Sequence, residues 1–150
     1  MLQELIAPTE VEFYDRNWNA IGSRSSLAGQ IHETTGFGRH LLRDPSTLTH
    51  YSYAVRLSWA AERETSRPED RVYSMMGILD VSLDTQYGVG IEMEFARLQE
   101  LLFKKADPDH SLFAWARNSG NTSLLAPHPN MFRGQSMIKK SSVQSVAPLR

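Results

Sequence analysis

A mainly helical α+β domain, with a short N-terminal β-hairpin packed on three to four helices and an irregular C-terminal tail, is the fold that this sequence predicts. Three observations carry that expectation. Apolar residues recur at helical spacing in three separate stretches, most clearly at Ile91, Phe95, Leu98 and Leu102. Near the start, Val11-Glu12-Phe13-Tyr14-Asp15 alternates as a half-buried strand does. From Gly120 onward Asn, Ser, Pro and Gly multiply and the periodicity fades.

Taken in order, Leu2–Ala7 is apolar enough to pack against a neighbour and has no leader before it. Arg16-Asn17 makes a turn between the first strand and Trp18–Ile21, and the hairpin closes at Gly22. Two strands alone are marginal in water, so the hairpin needs a supporting surface. Ser25 or Ser26 is expected to cap a short helix carrying Leu27, Ile31 and Thr34, with Gly36 as its stop. Phe37 to Asp44 is ambiguous. Pro45-Ser46-Thr47 opens a longer helix on which Leu48, Tyr51 or Ser52, Val55 and Trp59 recur.

Ser66-Arg67-Pro68-Glu69 matches a capping box, a hydroxyl at the cap with Glu three positions on. Behind it a helix carries Val72, Met75, Met76 and Leu79. The last helix runs from Ile91 to Lys105, with Glu92 and Glu94 early and both lysines late, as the helix dipole favours. Ser111–Trp115 reads as a strand or buried segment. The expected core is Val55, Trp59, Val72, Met76, Leu79, Phe95, Leu98 and Leu102, with Trp115 at its edge. Residues 1–132 form one domain, and 133–150 a linker or disordered tail.

Composition excludes several functions. Hydrophobic residues make 41% and charged residues 22% of the chain, ordinary globular values. The net charge is −1, but unevenly spread. Residues 110–150 hold five of the 16 basic residues and none of the 17 acids, which leaves 1–109 at −6. Five charges over that length are too dilute, and too poor in interleaved aromatics, for a nucleic-acid surface. With no cysteine there is no disulfide, thiolate metal site or Cys nucleophile. No apolar run is long enough to span a membrane, so a cytoplasmic protein is expected.

Little in the sequence looks catalytic. The five histidines never fall at metal-binding spacing, and no Gly-x-Ser-x-Gly elbow appears. Gly88-Val89-Gly90 precedes a helix where amides can hold a phosphate, but a bare Gly-x-Gly reads first as a tight turn. Glu62, Glu64, Glu69 and Asp70 interleave with Arg63, Arg67 and Arg71. So many arginines favour ionised, paired carboxylates, a structural ion network rather than an acid–base pair. No cofactor and no metal is expected.

The stretch Ser58-Trp59-Ala60-Ala61-Glu62-Arg63-Glu64-Thr65-Ser66-Arg67-Pro68-Glu69-Asp70-Arg71-Val72-Tyr73 resembles the SWAA-R-T-TR-ED-AY signature of fungal heterokaryon-incompatibility (HET) proteins. Met75 to Val81 is similar to the family's LLGIFDV, Tyr87-Gly88-Val89-Gly90 to its YGEG, and Phe95–Glu100 to its AF-RLQE. Leu2–Pro8 resembles LQELLAP, Val11–Trp18 resembles VEF-D--W, and Ser111–Trp115 and Leu125-Ala126-Pro127 resemble SIFAW and LLAP. Val89 stands where the family has Glu, and Ser82–Gln86 replaces a Met-Pro-Leu-Leu stretch.

The resemblance implies a role in non-self recognition and programmed cell death. It marks Trp59, Ser66, Arg67, Glu69, Asp70, Tyr73, Gly77, Asp80, Tyr87, Gly88 and Gly90 as structural motif positions, and no residue as catalytic. It also implies that the chain is the region C-terminal to the defining HET motifs. On this reading it is not an enzyme, and acts by protein interaction and structural completion of an effector. Its partner would be the remainder of a HET-type protein or another protein, not nucleic acid or membrane. The alternative is a split site, NAD-cleaving or signalling, shared with the absent N-terminal half. A truncated product with no independent role is a third possibility.

Overall fold

The computed structural model describes residues 2–105, 109–116 and 122–135. Among these residues the α+β, mainly helical architecture holds, but it is cut finer than the sequence predicts. A single two-stranded sheet accompanies seven short α-helices and three 3-10 segments. No helix among them is long and apolar enough to cross a membrane.

Helix α1 (Leu2–Ile6) buries Ile6 and lies across helix α6 (Met76–Leu79). The close approach depends on Gly77, where a Cβ would stand 2.8 Å from the Gln3 side chain. Gln3 Nε2 then donates to the carbonyls of Tyr73 and Ser74 at 3.4 and 3.3 Å. Strands β1 (Glu12–Tyr14) and β2 (Ala20–Ser23) pair antiparallel, Phe13 opposite Gly22 and Tyr14 opposite Ala20, with a bulge between. Trp18 belongs to the connecting loop, not to the second strand. Phe13 looks inward over an apolar groove of about 310 Å³ that it shares with Leu5, Leu27 and Ile31.

Arg24 locks this end of the molecule. Its guanidinium is buried and has four backbone carbonyls as acceptors: Leu5 and Pro8 at 2.9 and 2.8 Å, Thr9 at 2.8 Å and Leu42 at 3.1 Å. A planar fork of donors suits such divergent acceptors, and their hydrogen bonds offset the cost of burying the charge.

Helix α2 (Ala28–Thr35) stops at Gly36, which takes φ 73°, as expected. Its start differs. Leu27 is the N-cap, with no side-chain cap bond, and Ser26 Oγ accepts from Ser23 N instead, closing the preceding turn. Helix α3 (Arg39–Arg43) settles the ambiguous stretch and buries Leu41 and Leu42.

The long helix expected from Pro45 is two elements. A 3-10 segment (Pro45–His50) is capped by Asp44, and α4 (Tyr53–Ser58) by Ser52, whose Oγ accepts from Val55 N at 3.3 Å. Tyr51 between them is extended, because each cap diverts its neighbouring amides into a fresh start. Asp109 and Ser111, far off in sequence, accept from Tyr53 N at 2.8 Å and Ala54 N at 3.0 Å, satisfying the open first turn of α4.

Helices α5 (Pro68–Tyr73) and α6 likewise replace one expected helix. Here Met75 is fully buried and Met76 only partly, so the expected core is corrected by one residue. Met76 sulfur accepts instead from Leu83 N at 3.1 Å. The other expected core residues are buried, Trp115 included. Helix α7 (Ile91–Phe103) presents Phe95, Leu98 and Leu102 to the core. Its Gln99 grips residue 126 with both amide atoms, donating to Ala126 O at 2.8 Å and accepting from Ala126 N at 2.9 Å. Of the two readings of Ser111–Trp115, the buried segment holds and the strand does not: His110–Phe113 is 3-10, with Ser111, Leu112 and Trp115 buried. Of the predicted tail, Arg133 pairs with Glu62 at 2.7 Å, and residues 136–150 lie outside the described ones.

Candidate functional site

Seven of the eleven motif residues converge where the segment before α7 crosses the start of α5. Pro68 at the first helical position holds Arg67 extended, at φ −112° and ψ 132°. Arg67 therefore occupies the N-cap position, and Ser66 falls one residue too early to cap. The predicted capping box is corrected accordingly. Ser66 is exposed, and α5 has no side-chain cap bond.

The next two residues fasten the crossing segment. Glu69 is buried, and its Oε1 accepts from Gly88 N at 3.0 Å and Gly90 N at 3.2 Å. Both glycines have positive φ, 86° and 88°, which turns both amides onto one carboxylate oxygen. Asp70 Oδ1 accepts from the Tyr87 hydroxyl at 2.8 Å, and the Arg67 guanidinium lies 4.7 Å from the Tyr87 ring centroid. Tyr73 completes the fastening: its hydroxyl donates to Gln86 O and accepts from Gln86 N, both at 2.6 Å. The rings of Tyr73 and Tyr87 meet edge to face at 5.6 Å.

Electrostatics follow from these bonds. The amides of Glu69 itself, of Gly90 and of Gly88, with the Arg67 charge, hold the Glu69 carboxyl below the ordinary glutamate range against the effect of burial. The Asp70 hydrogen bond, then burial, push the Tyr87 hydroxyl up. Burial first, with the charge of Glu94 adding to it, does the same for Tyr73. An ionised Glu69 with both amide donors engaged is a fastener, and has no proton to give near neutrality. The turn reading of Gly88-Val89-Gly90 is thereby explained, since the amides that a phosphate would use already hold Glu69.

The expected ion network is a correction. Arg71 feels the charge of Glu64, but its hydrogen bonds go to Ala60 O at 3.0 Å, to Ala61 O and to Asn130 Oδ1, not to a carboxylate. Desolvation lowers its pKa. Glu62 pairs with Arg133 across a cleft of about 560 Å³ beside the end of α2. Guanidinium-to-carbonyl stapling recurs at Arg56, which donates to Tyr51 O at 2.9 Å and Ile78 O at 3.2 Å.

The remaining motif residues are structural elsewhere. Trp59 is buried with its ring edge-on to Phe37 at 4.7 Å and Tyr51 at 5.4 Å. Gly77 admits Gln3, as above. Asp80 ends α6 in the left-handed conformation, and Lys105 Nζ donates to its carbonyl at 2.6 Å and its carboxylate at 3.1 Å. Sequence reasoning missed Gln86 and Glu94. Glu94 is wholly buried, with Oε1 on Arg97 at 2.6 Å and Oε2 without a partner. Its spacing of four from Leu98, itself four from Leu102, was the available signal. No cluster of three or more His, Asp or Glu able to hold a metal occurs among the described residues.

Fold and site thus define a small, mainly helical α+β module whose polar side chains fasten loops to helix ends. Over 103 residues the chain is 47% identical to "Vegetative incompatibility protein HET-E-1" of Podospora anserina, a match covering 69% of this chain and 8% of that protein. The resemblance to fungal incompatibility proteins therefore stands as a sequence relationship, while the chain spans about a twelfth of the relative it matches. No protein-family model matches the chain, and no solved structure does.

Proposed function

We propose that this chain is a module of a fungal heterokaryon-incompatibility protein, acting in non-self recognition and cell death through protein interaction and structural completion of the effector, not through chemistry of its own. The observation that supports the reading is the match to HET-E-1, within which the aligned segment is a small part. The geometry agrees with it. The carboxylates that could have served as acid and base, Glu69 and Asp70, each hold part of one loop. On this proposal the module is the region that follows the defining HET motifs, and it works in the cytoplasm.

The test is expression in a fungal host together with an assay of the purified chain. The chain alone is expected to hydrolyse no NAD and to be less toxic than a full HET protein. Robust turnover by the isolated chain, abolished by a point substitution within it, would overturn the proposal.

A further inference from the structure

We propose that His128 makes the segment from His128 to Arg133 a pH-sensitive clasp, closed while its imidazole is neutral and loosened when the ring takes a second proton. The sequence sets the geometry. Pro129 holds the residue before it extended, at φ −148° and ψ 145°. From there the ring reaches forward, and Nδ1 accepts from Asn130 N at 3.2 Å, capping the 3-10 segment Pro129–Phe132. An imidazole nitrogen that accepts from an amide carries no proton, so Nε2 holds the one hydrogen of the ring. Protonating Nδ1 turns the acceptor into a donor aimed at another donor. His32 gives the contrast: its Nδ1 lies 2.7 Å from the Phe37 carbonyl, an acceptor that a protonated ring keeps.

The surroundings of the ring favour the same neutral state. Arg71 on α5 donates to Asn130 Oδ1, so an imidazolium would face a guanidinium across one asparagine. Glu92 at the start of α7 and the Asn130 side chain pull the other way. Helix α4 also packs on the segment, but its one charge, Arg56, lies over the Tyr53 ring and donates to the carbonyls of Tyr51 and Ile78. Burial first, then Arg71, prevail and hold the imidazole below the ordinary histidine range.

What the clasp holds gives its loosening a consequence. Phe132 is fully buried with its ring edge-on to Phe95 at 6.2 Å, and Met131 O accepts from Ala116 N at 2.9 Å. Arg133 reaches Glu62 across the cleft beside Trp59. Opening at His128 therefore frees an apolar side chain and one wall of that cleft together. With the folded pKa lowered, the cap contributes fully above the unfolded value of about 6.5 and is lost as pH falls through the folded value.

The experiment is hydrogen exchange of the full chain at pH of about 7.5 and about 5.5, read by mass spectrometry and corrected for the intrinsic pH dependence of exchange. At the lower pH a histidine in the open state is about tenfold more protonated than neutral. Exchange of peptides covering 128–135 is therefore expected to rise about five- to tenfold, while α7 stays protected. His128→Asn keeps an oxygen that can accept from the amide two residues on, and it does not titrate, so its exchange should change less than about twofold. The wild-type imidazole resonances give a readout that needs no variant: the His128 proton should sit on Nε2, with a titration midpoint below about 6.5. The proposal is overturned if exchange of 128–135 in wild type changes less than about twofold, if His128→Asn rises as much, or if Nδ1 carries the proton at neutral pH. Loss of protection throughout the chain at the lower pH would also overturn it, in favour of general acid unfolding.

Discussion

Replacing Arg24 by methionine should be among the most damaging single changes to this fold. The stem of Arg24 is matched in length by Met, so the perturbation is mainly the loss of the guanidinium. Four carbonyls, on Leu5, Pro8, Thr9 and Leu42, then lose a charged donor. A hydrogen bond to a charged group contributes about 1.5–3 kcal/mol net, and the four are not additive because loosened loops recover water. Removing the buried charge also returns part of its desolvation cost. The balance is a loss of about 3–5 kcal/mol, a large share of a typical domain stability of about 5–15 kcal/mol. Thermal and urea unfolding followed by circular dichroism would measure it. Arg24→Lys should recover less than half, since one ammonium cannot reach all four divergent acceptors. A loss below about 1 kcal/mol for Arg24→Met, or full recovery by Lys, would refute the stapling argument.

Three further outcomes follow from the same geometry. Ser52→Ala should cost about 1 kcal/mol in urea unfolding, the usual worth of a helix cap, whereas Ser66→Ala should fall within about 0.5 kcal/mol of wild type. Gly77→Ala should stay within about 0.5 kcal/mol of wild type, because its Cβ displaces Gln3 from two long hydrogen bonds to Tyr73 and Ser74 while alanine gains helix propensity in α6, and Gln3→Ala in that background should add little. The folded-state pKa of Glu69 is lowered, so its contribution is fully present above the unfolded glutamate value of about 4.3 and is lost as pH falls through the folded value. Melting curves of wild type and Glu69→Ala should therefore differ at neutral pH and converge in that acid window.

The sequence shows plainly whatever depends on periodicity. The stripe of Phe95, Leu98 and Leu102 is buried as predicted, Gly36 ends its helix, and the hairpin forms near its predicted place. What it conceals is where polar side chains find long-range partners. Asp109 and Ser111 complete a helix start more than fifty residues away, and Gln99 holds the backbone of Ala126. Arginines next to glutamates in sequence imply ion pairs. In the fold Arg71 reaches carbonyls and Asn130, because α5 turns it away from Glu69 and toward the end of α4. The capping box failed for a local reason, the effect of Pro68 on the residue before it. At the site, the motif residues were legible as a group, but the partnership of Glu69 with Gly88 and Gly90 was not. It needs two positive-φ glycines to be brought nineteen and twenty-one residues back along the chain.

The central claim is that Glu69 and Asp70 act as hydrogen-bond acceptors that fasten the segment before α7, and not as an acid and a base. The double variant Glu69→Gln and Asp70→Asn tests it most directly, because each amide keeps an acceptor oxygen while proton transfer is removed. The measurement is cell-death activity in a fungal host expressing a full incompatibility protein that carries this segment, with melting temperature and folded yield recorded beside it. The account predicts a melting temperature lowered by the loss of the Glu69 charge, with activity in proportion to the folded protein that remains. Wild-type yield and melting temperature with activity lost would contradict it and identify the pair as catalytic.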